Sequence, residues 1–131
     1  MRVIDSSTLV KFFSKERGWE KVAEIIPEGV VTLDLAIKEI ASALWKKVIK
    51  GEMDEGIAVR ILSDLLKKEA IIVVNQDEYL TEAFKIAVKY KITVYDALFI
   101  ALAKSLKTEL ITSDGKQYNV SLEEGVKTTF V

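Results

Sequence analysis

Short apolar runs alternate with longer segments of mixed polarity along this chain. The runs are four or five residues long and rich in Val, Ile and Thr, which favour β-strands. They occupy residues 2–5, 29–33, 70–74, 109–113 and 127–131. Because helix-length segments separate the first four runs, the pattern predicts a mostly parallel sheet with helices on both faces. Only a loop is predicted before the last run, so we expect an edge strand there that can run antiparallel.

Capping residues, Gly and Pro mark the predicted helix boundaries. Two short helices are predicted at 8–13 and 19–26, ended by Pro27 and Gly29. Gly51 fits the position just past the end of the third helix. The four longer helices are predicted at 35–50, 57–68, 79–90 and 94–107, opened by Asp34, Asp54, Asp77 and Thr93. The last of these helices is apolar all round in its middle, which is typical of a buried helix.

The length and hydropathy of the chain indicate one globular domain, residues 1–131. No apolar run approaches the length of a membrane span, and the first residues lack the apolar region of a signal peptide. We therefore expect a cytoplasmic protein without a membrane partner. The hydrophobic fraction of 50% is high for such a protein, so the surplus is expected in the core or in a subunit interface.

Missing residue types narrow the possible chemistry. The chain has no Cys and no His, which excludes thiolate nucleophiles and imidazole acid–base catalysis. A zinc site would have to be made of carboxylates alone. The net charge of −1 provides no general basic field for nucleic acid, so any contact with nucleic acid must be local.

Four acidic residues are the candidate functional groups. Asp5 and Asp114 each follow a predicted strand, at the edge where open α/β sheets bind ligands. Asp96 opens the buried helix, and Glu39 lies among apolar neighbours in the first turns of its own helix. Carboxylates gathered at one edge repel one another, and a divalent cation with oxygen ligands offsets that repulsion. The pattern therefore predicts a metal-dependent enzyme.

Each acid also has a purely structural explanation. Asp5 can cap the first helix, and Asp96 stands at the capping-box position after Thr93. Glu39 can be a boundary residue, and Asp114 with Gly115 is a common turn dipeptide. These explanations stay open for each residue on its own. Four other acids have no apolar context and are interpreted as caps or solvated faces: Asp54, Asp77, Glu78 and Glu82.

The motifs resemble those of PIN-domain proteins, in particular the small VapC-type toxin ribonucleases. The matching segments are VIDSSTLV, LAIKEIASAL, TVYDALFIALA and LITSDGK, in this order along essentially the whole chain. The most specific part is an Asp that opens an Ala-rich helix, followed by a second Asp after the next strand. The resemblance implies a three-layer α/β/α sandwich with a five-stranded, largely parallel sheet.

The resemblance also implies a function and a site. It implies RNA hydrolysis with Mg²⁺ or Mn²⁺ held by Asp5, Glu39, Asp96 and Asp114, supported by Ser7, Thr112 and Ser113. Asp5 and Asp96 are expected as principal ligands, Asp114 as a further or water-mediated ligand, and Glu39 as ligand or base. The implied partners are RNA, an antitoxin protein and a second copy of the chain.

Two other functions remain open at this stage. A binding module can keep the acids without catalysis. A phosphatase can use Asp5 as a covalent nucleophile, although such enzymes carry a second Asp where this chain has Ser7. Four lysines lie on helices that start near the same edge and are candidates for phosphate contacts, although ordinary solvated surface positions are the commoner explanation: Lys11, Lys15, Lys46 and Lys47.

Overall fold

All five predicted strands form one parallel sheet in the computed structural model, which describes residues 1–131. The strands are β1 (Arg2–Ile4), β2 (Val30–Leu33), β3 (Ile72–Val74), β4 (Leu110–Thr112) and β5 (Thr128–Phe130). Their order across the sheet is β3-β2-β1-β4-β5, and every neighbouring pair is parallel. The five-stranded α/β/α architecture is therefore as predicted.

Seven helices cover the two faces of this sheet. They are α1 (Ser6–Phe13), α2 (Trp19–Ile25), α3 (Asp34–Ile49), α4 (Glu55–Leu66), α5 (Leu80–Tyr90), α6 (Val94–Leu106) and α7 (Gly115–Glu123). Two 3₁₀ turns, Ile26–Glu28 and Gln76–Tyr79, complete the connections. With this strand order, right-handed crossovers place α1 to α4 on one face and α5 to α7 on the other.

The predicted loop and the antiparallel option for the last strand are wrong. The helix α7 connects β4 to β5, and β5 pairs parallel with β4, from Leu110 opposite Thr128 to Thr112 opposite Phe130. Parallel neighbours need a crossover connection, which α7 provides. Its sequence GKQYNVSLE has no apolar stripe, and its two fully buried side chains, Gln117 and Ser121, are polar. The hydrophobic pattern therefore gives no signal for this helix.

Two of the four predicted caps are confirmed. The side chain of Asp54 accepts a hydrogen bond from Gly56 N, and that of Thr93 accepts one from Asp96 N. Asp34 is instead the first residue of α3, and its Oδ1 accepts from Gln76 N at 3.0 Å. Asp77 lies within a 3₁₀ turn capped by Asn75, because Asn75 Oδ1 accepts from Asp77 N at 2.7 Å.

The core brings α6 directly against the middle of the sheet. Twenty-nine buried apolar residues form one continuous cluster. Seven consecutive residues of α6, from Ala97 to Ala103, are buried, which confirms the predicted burial of its middle. Small Ala side chains at this contact let the helix backbone approach β1 closely. The close approach brings the first turn of α6 to the end of β1. None of the seven helices is long and apolar enough to cross a membrane.

Candidate active site

The candidate site lies where the chain reverses its direction across the sheet. From β1 the chain moves outward to β2 and β3, then crosses back to β4 on the other side of β1. The carboxyl ends of β1 and β4 therefore meet at a topological switch point, the position where open α/β sheets bind ligands. Asp5 directly follows β1, and Asp114 comes two residues after the end of β4.

Asp5 is the most buried of the four acids, with 1% of its surface exposed. Its Oδ1 accepts hydrogen bonds from Ser7 Oγ at 2.8 Å, Thr8 N at 3.0 Å and Thr8 Oγ1 at 2.9 Å. Its Oδ2 accepts from Thr112 Oγ1. Burial raises the pKa of the Asp5 carboxyl, and the hydrogen bonds, that from Thr112 foremost, act in the opposite direction. Asp5 is therefore a helix cap, as its structural explanation predicts, and it is also held at the switch point.

Glu39 reaches the same edge from the second turn of α3. Ser6 Oγ donates to Glu39 Oε1 at 2.8 Å, and Oε2 accepts no hydrogen bond. Burial raises the pKa of Glu39, the Ser6 hydroxyl acts against this, and the charges of Asp96 and Asp5 raise the pKa further. The side chain is half-buried and faces other acids, which a plain boundary residue does not explain.

Asp96 lies in the first turn of α6, with its backbone N donating to Thr93 Oγ1 at 3.2 Å. The cap of this helix is thus Thr93. Burial and then the charge of Asp114 raise the pKa of Asp96, whereas the Thr93 hydroxyl and Lys116 lower it. Gln117 Nε2 donates to the backbone oxygen of Asp96 at 2.9 Å and so ties the start of α6 to α7.

Asp114 caps α7, so its interpretation as a plain turn residue is wrong. Its Oδ1 accepts from Gln117 N at 3.0 Å, and its own backbone N donates to Thr112 Oγ1 at 3.0 Å. Its Oδ2 accepts no hydrogen bond. The same Thr112 hydroxyl therefore orients both Asp5 and Asp114.

An open cleft joins these groups on the surface. Glu39, Asp96 and Asp114 line it together with Glu16, Lys11 and Val10. Asp5 is buried beside it, close enough for its charge to raise the pKa of Glu39. Ser7 and Ser113 also line the cleft and bond to each other, with 3.2 Å from Ser113 N to Ser7 Oγ. The cleft thus carries four carboxylates on its surface against one lysine.

The donor chemistry of the cleft fits a divalent cation. Carboxylate oxygens are the ligands that Mg²⁺ and Mn²⁺ prefer, and the charges of neighbouring carboxylates raise the pKa of Glu39 and that of Asp96. As they stand, no three of them are close enough to hold one ion together. Asp96 also lines the cleft, and the free Oε2 of Glu39 and Oδ2 of Asp114 can turn toward a cation, because their partner oxygens are already bonded within the protein.

Sequence reasoning missed three residues of this arrangement. Ser6 holds Glu39, Thr8 bonds to Asp5, and Gln117 bonds to both Asp114 and Asp96. Gln117 stands three residues after Asp114, which is the spacing of a capping box and was a usable signal. Nothing in the sequence pairs Ser6 with Glu39, because 33 positions separate them.

The four candidate lysines are divided between different surfaces. Lys11 lines the cleft, and its Nζ donates to Val131 O at 2.8 Å. Lys15 lies over the ring of Trp19, at 5.7 Å from its centroid, and does not line the cleft. Lys46 and Lys47 line a separate groove on α3 that includes Glu39.

Comparison with known protein families assigns the chain to one class. Residues 2–122 match the family described as PIN domain. The chain belongs to the PIN-domain family. It is 34% identical over 115 residues to Ribonuclease VapC3 of Pyrobaculum aerophilum, across 86% of this chain and 88% of that protein. It is also 30% identical over 112 residues to Exonuclease VapC9 of the same organism, across 86% of this chain and 79% of that protein.

Solved structures share the same architecture. PAE2754 from Pyrobaculum aerophilum is 28% identical and superposes with a TM-score of 0.74, covering 97% of this chain and 82% of its own. A chain of a toxin-antitoxin complex from Klebsiella pneumoniae is 20% identical, with a TM-score of 0.64 and 90% of each chain covered. At that identity the second likeness concerns the fold alone.

Proposed function

We propose that this protein is a divalent-metal-dependent ribonuclease that hydrolyses RNA phosphodiester bonds and is the toxin of a toxin–antitoxin pair. The observation that carries the proposal is the cleft at the switch point, which joins Glu39, Asp96 and Asp114 on its surface with Asp5 buried beside it. The relative named Ribonuclease VapC3, 34% identical to this chain, supports the substrate class.

The reaction would depend on carboxylates because the chain has no His and no Cys. Mg²⁺ or Mn²⁺ supplies, when bound, Lewis-acid polarisation of the phosphodiester and a more acidic water. Asp5 and Asp96 are the principal ligands in this proposal, and Asp114 is a further ligand. Glu39 orients the attacking water or accepts its proton, through the Oε2 that accepts no hydrogen bond within the protein.

Hydroxyl groups of this chain keep the acids in place. Ser7 and Thr112 hold opposite oxygens of Asp5, and Ser6 holds Glu39. Outer partners of this kind fix the direction of a ligand's lone pairs and are commonly needed for full metal affinity. The hydroxyl of Ser113 joins these groups through a hydrogen bond with Thr8 Oγ1, at 3.2 Å.

A covalent phosphatase role for Asp5 is disfavoured. Both of its oxygens accept hydrogen bonds inside the protein, and only 1% of the residue is exposed. A nucleophile must approach the substrate's phosphorus directly, whereas Asp5 does not line the cleft.

Two protein partners belong to the proposal. An antitoxin segment would pack in the apolar groove between α1, α3 and α4, whose lining includes Phe12, Phe13 and Ile37. The complex from Klebsiella pneumoniae supports a partner of this kind. A second copy of the chain would cover the exposed stripe of Leu80, Phe84 and Val88 on α5.

The test is a cleavage assay with single-stranded and structured RNA labelled at one end. We expect cleavage with Mg²⁺ or Mn²⁺ and none in EDTA, and end-labelled products of intermediate length at early times if the enzyme cuts within the strand. Asp96→Asn should remove most activity, whereas Asp77→Asn, in an exposed turn away from the cleft, should not. Full activity in EDTA would refute the proposal. Binding without any cleavage under all metal conditions would instead identify a non-catalytic PIN-domain binding module.

A further inference from the structure

A groove on α3 continues from the active-site cleft. Its lining is Glu39, Ser42, Ala43, Lys46, Lys47, Lys50 and Glu52, and we call it the α3 groove. Glu39 belongs to both the cleft and this groove, so the two depressions adjoin. The positions 39, 43, 46 and 50 follow the spacing of one helix face. From Glu39 to Lys50 this face runs about 16 Å along the helix axis.

The three lysines of the α3 groove have no ionic partner in the protein. Neither Lys46, Lys47 nor Lys50 lies within ion-pair distance of a carboxylate, although Glu52 lines the same groove. Lysines elsewhere in the chain do form such pairs, for example Lys104 with Glu124 at 2.9 Å. The groove therefore presents three lysines without ion pairs, against the two carboxylates of Glu39 and Glu52.

The negative charge of the cleft explains why nearby lysines are needed to bind RNA. The cleft surface carries Glu16, Glu39, Asp96 and Asp114 against Lys11, and the whole chain has a net charge of −1. A polyanion gains nothing from this background at long range. It needs local positive charge close to the carboxylates, and the adjoining α3 groove supplies three lysines.

We propose that an RNA strand bound in the cleft continues along the α3 groove, with Lys46, Lys47 and Lys50 contacting its phosphates. This inference rests on the proposed ribonuclease function and adds the path of the substrate. Contacts to phosphates position a strand and carry no sequence information. The groove accordingly sets the affinity for RNA and the direction in which the strand exits the cleft. Base recognition belongs to other surfaces.

A structural role for these lysines predicts a different result. Lys46 and Lys47 lie in the last turn of α3, where cations stabilise the helix dipole. If this is their only role, their removal lowers the melting temperature and leaves RNA affinity unchanged. If they bind phosphates, affinity and its salt dependence change.

The experiment measures binding of a fluorescent single-stranded RNA of about 12 nucleotides by anisotropy, in EDTA and at several salt concentrations. The charge-removing variant is K46Q/K47Q/K50Q, and K46R/K47R/K50R keeps the charge. The control K85Q/K91Q/K107Q removes three lysines that are also free of ion pairs and that line neither the cleft nor the α3 groove. Thermal melts of every variant detect any loss of fold.

We expect K46Q/K47Q/K50Q to weaken binding about tenfold or more at low salt and to lower the slope of log affinity against log salt by about 2. The arginine variant should bind like the unchanged protein, and the control should lose little. In the cleavage assay the same loss should appear in KM. The inference would be overturned if both glutamine variants lost RNA affinity equally or if the salt slope of K46Q/K47Q/K50Q were unchanged. It would also be overturned if the unchanged protein bound no RNA. Because binding is read in EDTA, its outcome is independent of whether the bound RNA is cleaved.

Discussion

Ser6 donates a hydrogen bond to Glu39, with 2.8 Å between Oγ and Oε1, and so joins the first residue of α1 to the second turn of α3. The helix α1 starts from β1, which ends at the switch point, and α3 starts from the neighbouring strand β2. The bond fixes one oxygen of Glu39 and leaves the other free to face the cleft. Ser6 is therefore a positioning residue for the proposed metal site.

The variant Ser6→Ala tests this relationship. We expect it to lower Mn²⁺ affinity or activity by about tenfold, because a ligand without its outer partner loses its fixed direction. The stability of the protein should change little, since Ser6 is only partly buried. Ser105→Ala, at an exposed position of α6, is the control. Unchanged metal affinity and activity in Ser6→Ala would show that the bond has no part in the site.

The bond between Thr112 and Asp5 is expected to contribute to stability. Thr112 is fully buried, and its hydroxyl donates to Asp5 Oδ2 while accepting from Asp114 N. Thr112→Val keeps the shape and removes both bonds, so the free energy of unfolding should fall by about 1–3 kcal/mol. Urea denaturation of the variant in EDTA measures this loss.

A double-mutant cycle isolates the part due to Asp5. Thr112→Val and Asp5→Asn should couple by about 1 kcal/mol, because they share one buried hydrogen bond. Thr32→Val removes an equally buried hydroxyl, which donates to Ile4 O at 2.7 Å, and should not couple to Asp5→Asn. Additive effects for Thr112 and Asp5 would mean that their bond adds nothing to stability.

Glu124 lies at the end of the fold opposite the cleft. It is expected to make the free energy of unfolding depend on pH. Lys104 donates to its Oε1 at 2.9 Å and Tyr90 to its Oε2 at 2.6 Å, which lowers the pKa of Glu124 to about 2. Because the pKa of Glu124 is lower in the folded protein than its unfolded value of 4.5, the ionised side chain stabilises the fold at pH values above 4.5. This stabilisation is lost as the pH falls from 4.5 toward about 2.

Glu124→Gln should therefore be less stable near neutral pH and equal to the unchanged protein near pH 2. The difference near neutral pH should be about 1–2 kcal/mol, less than the full pKa shift implies, because Lys104 and Lys89 are solvent-exposed. Urea denaturation across this pH range measures it, with the exposed Glu123→Gln as control. A stability difference that is the same at every pH would contradict the assignment.

The apolar stripe on α5 is expected to be a subunit interface. Leu80, Phe84 and Val88 are spaced by four residues and are 48%, 60% and 64% exposed. Phe84→Glu should convert a dimer to a monomer in sedimentation velocity, because it buries a charge at the centre of the stripe. Lys85→Glu changes the neighbouring charge and should leave the dimer intact. A monomeric unchanged protein would rule out this interface.

The hydrophobic pattern was sufficient for most of the fold. It predicted all five strands and six helices, because most of these elements bury an apolar stripe or run, although the edge strands β3 and β5 are only partly buried. It failed for α7, whose buried residues Gln117 and Ser121 are polar, and this failure produced the wrong direction for the last strand. The resemblance to PIN-domain proteins is confirmed by the family match.

The candidate site was predictable only in part. The positions of Asp5 and Asp114 follow from the ends of β1 and β4, because parallel strands present their carboxyl ends at one edge. The hydrogen bonds that set each carboxylate's direction depend on residues far apart in the chain, such as Ser6 with Glu39 and Thr112 with Asp5. Strand and helix periodicity contains no information on such pairs. The joint role of the four acids in binding metal stays a prediction.

Thermal melts of the unchanged protein and of Asp96→Asn, each in EDTA and in Mn²⁺, test that role most directly. Burial and the charge of Asp114 disfavour the ionised Asp96 in the metal-free protein, so Asp96→Asn should melt in EDTA at the same temperature or higher. Thr93→Ala, which removes the cap of α6, should lose about 1 kcal/mol and keep its response to metal.

The account predicts that Mn²⁺ raises the melting temperature of the unchanged protein and of Thr93→Ala, through binding to the folded state, and leaves that of Asp96→Asn unchanged. The account would be contradicted if Mn²⁺ did not change the melting temperature of the unchanged protein at any concentration. Asp96 would then be only a residue in the first turn of α6.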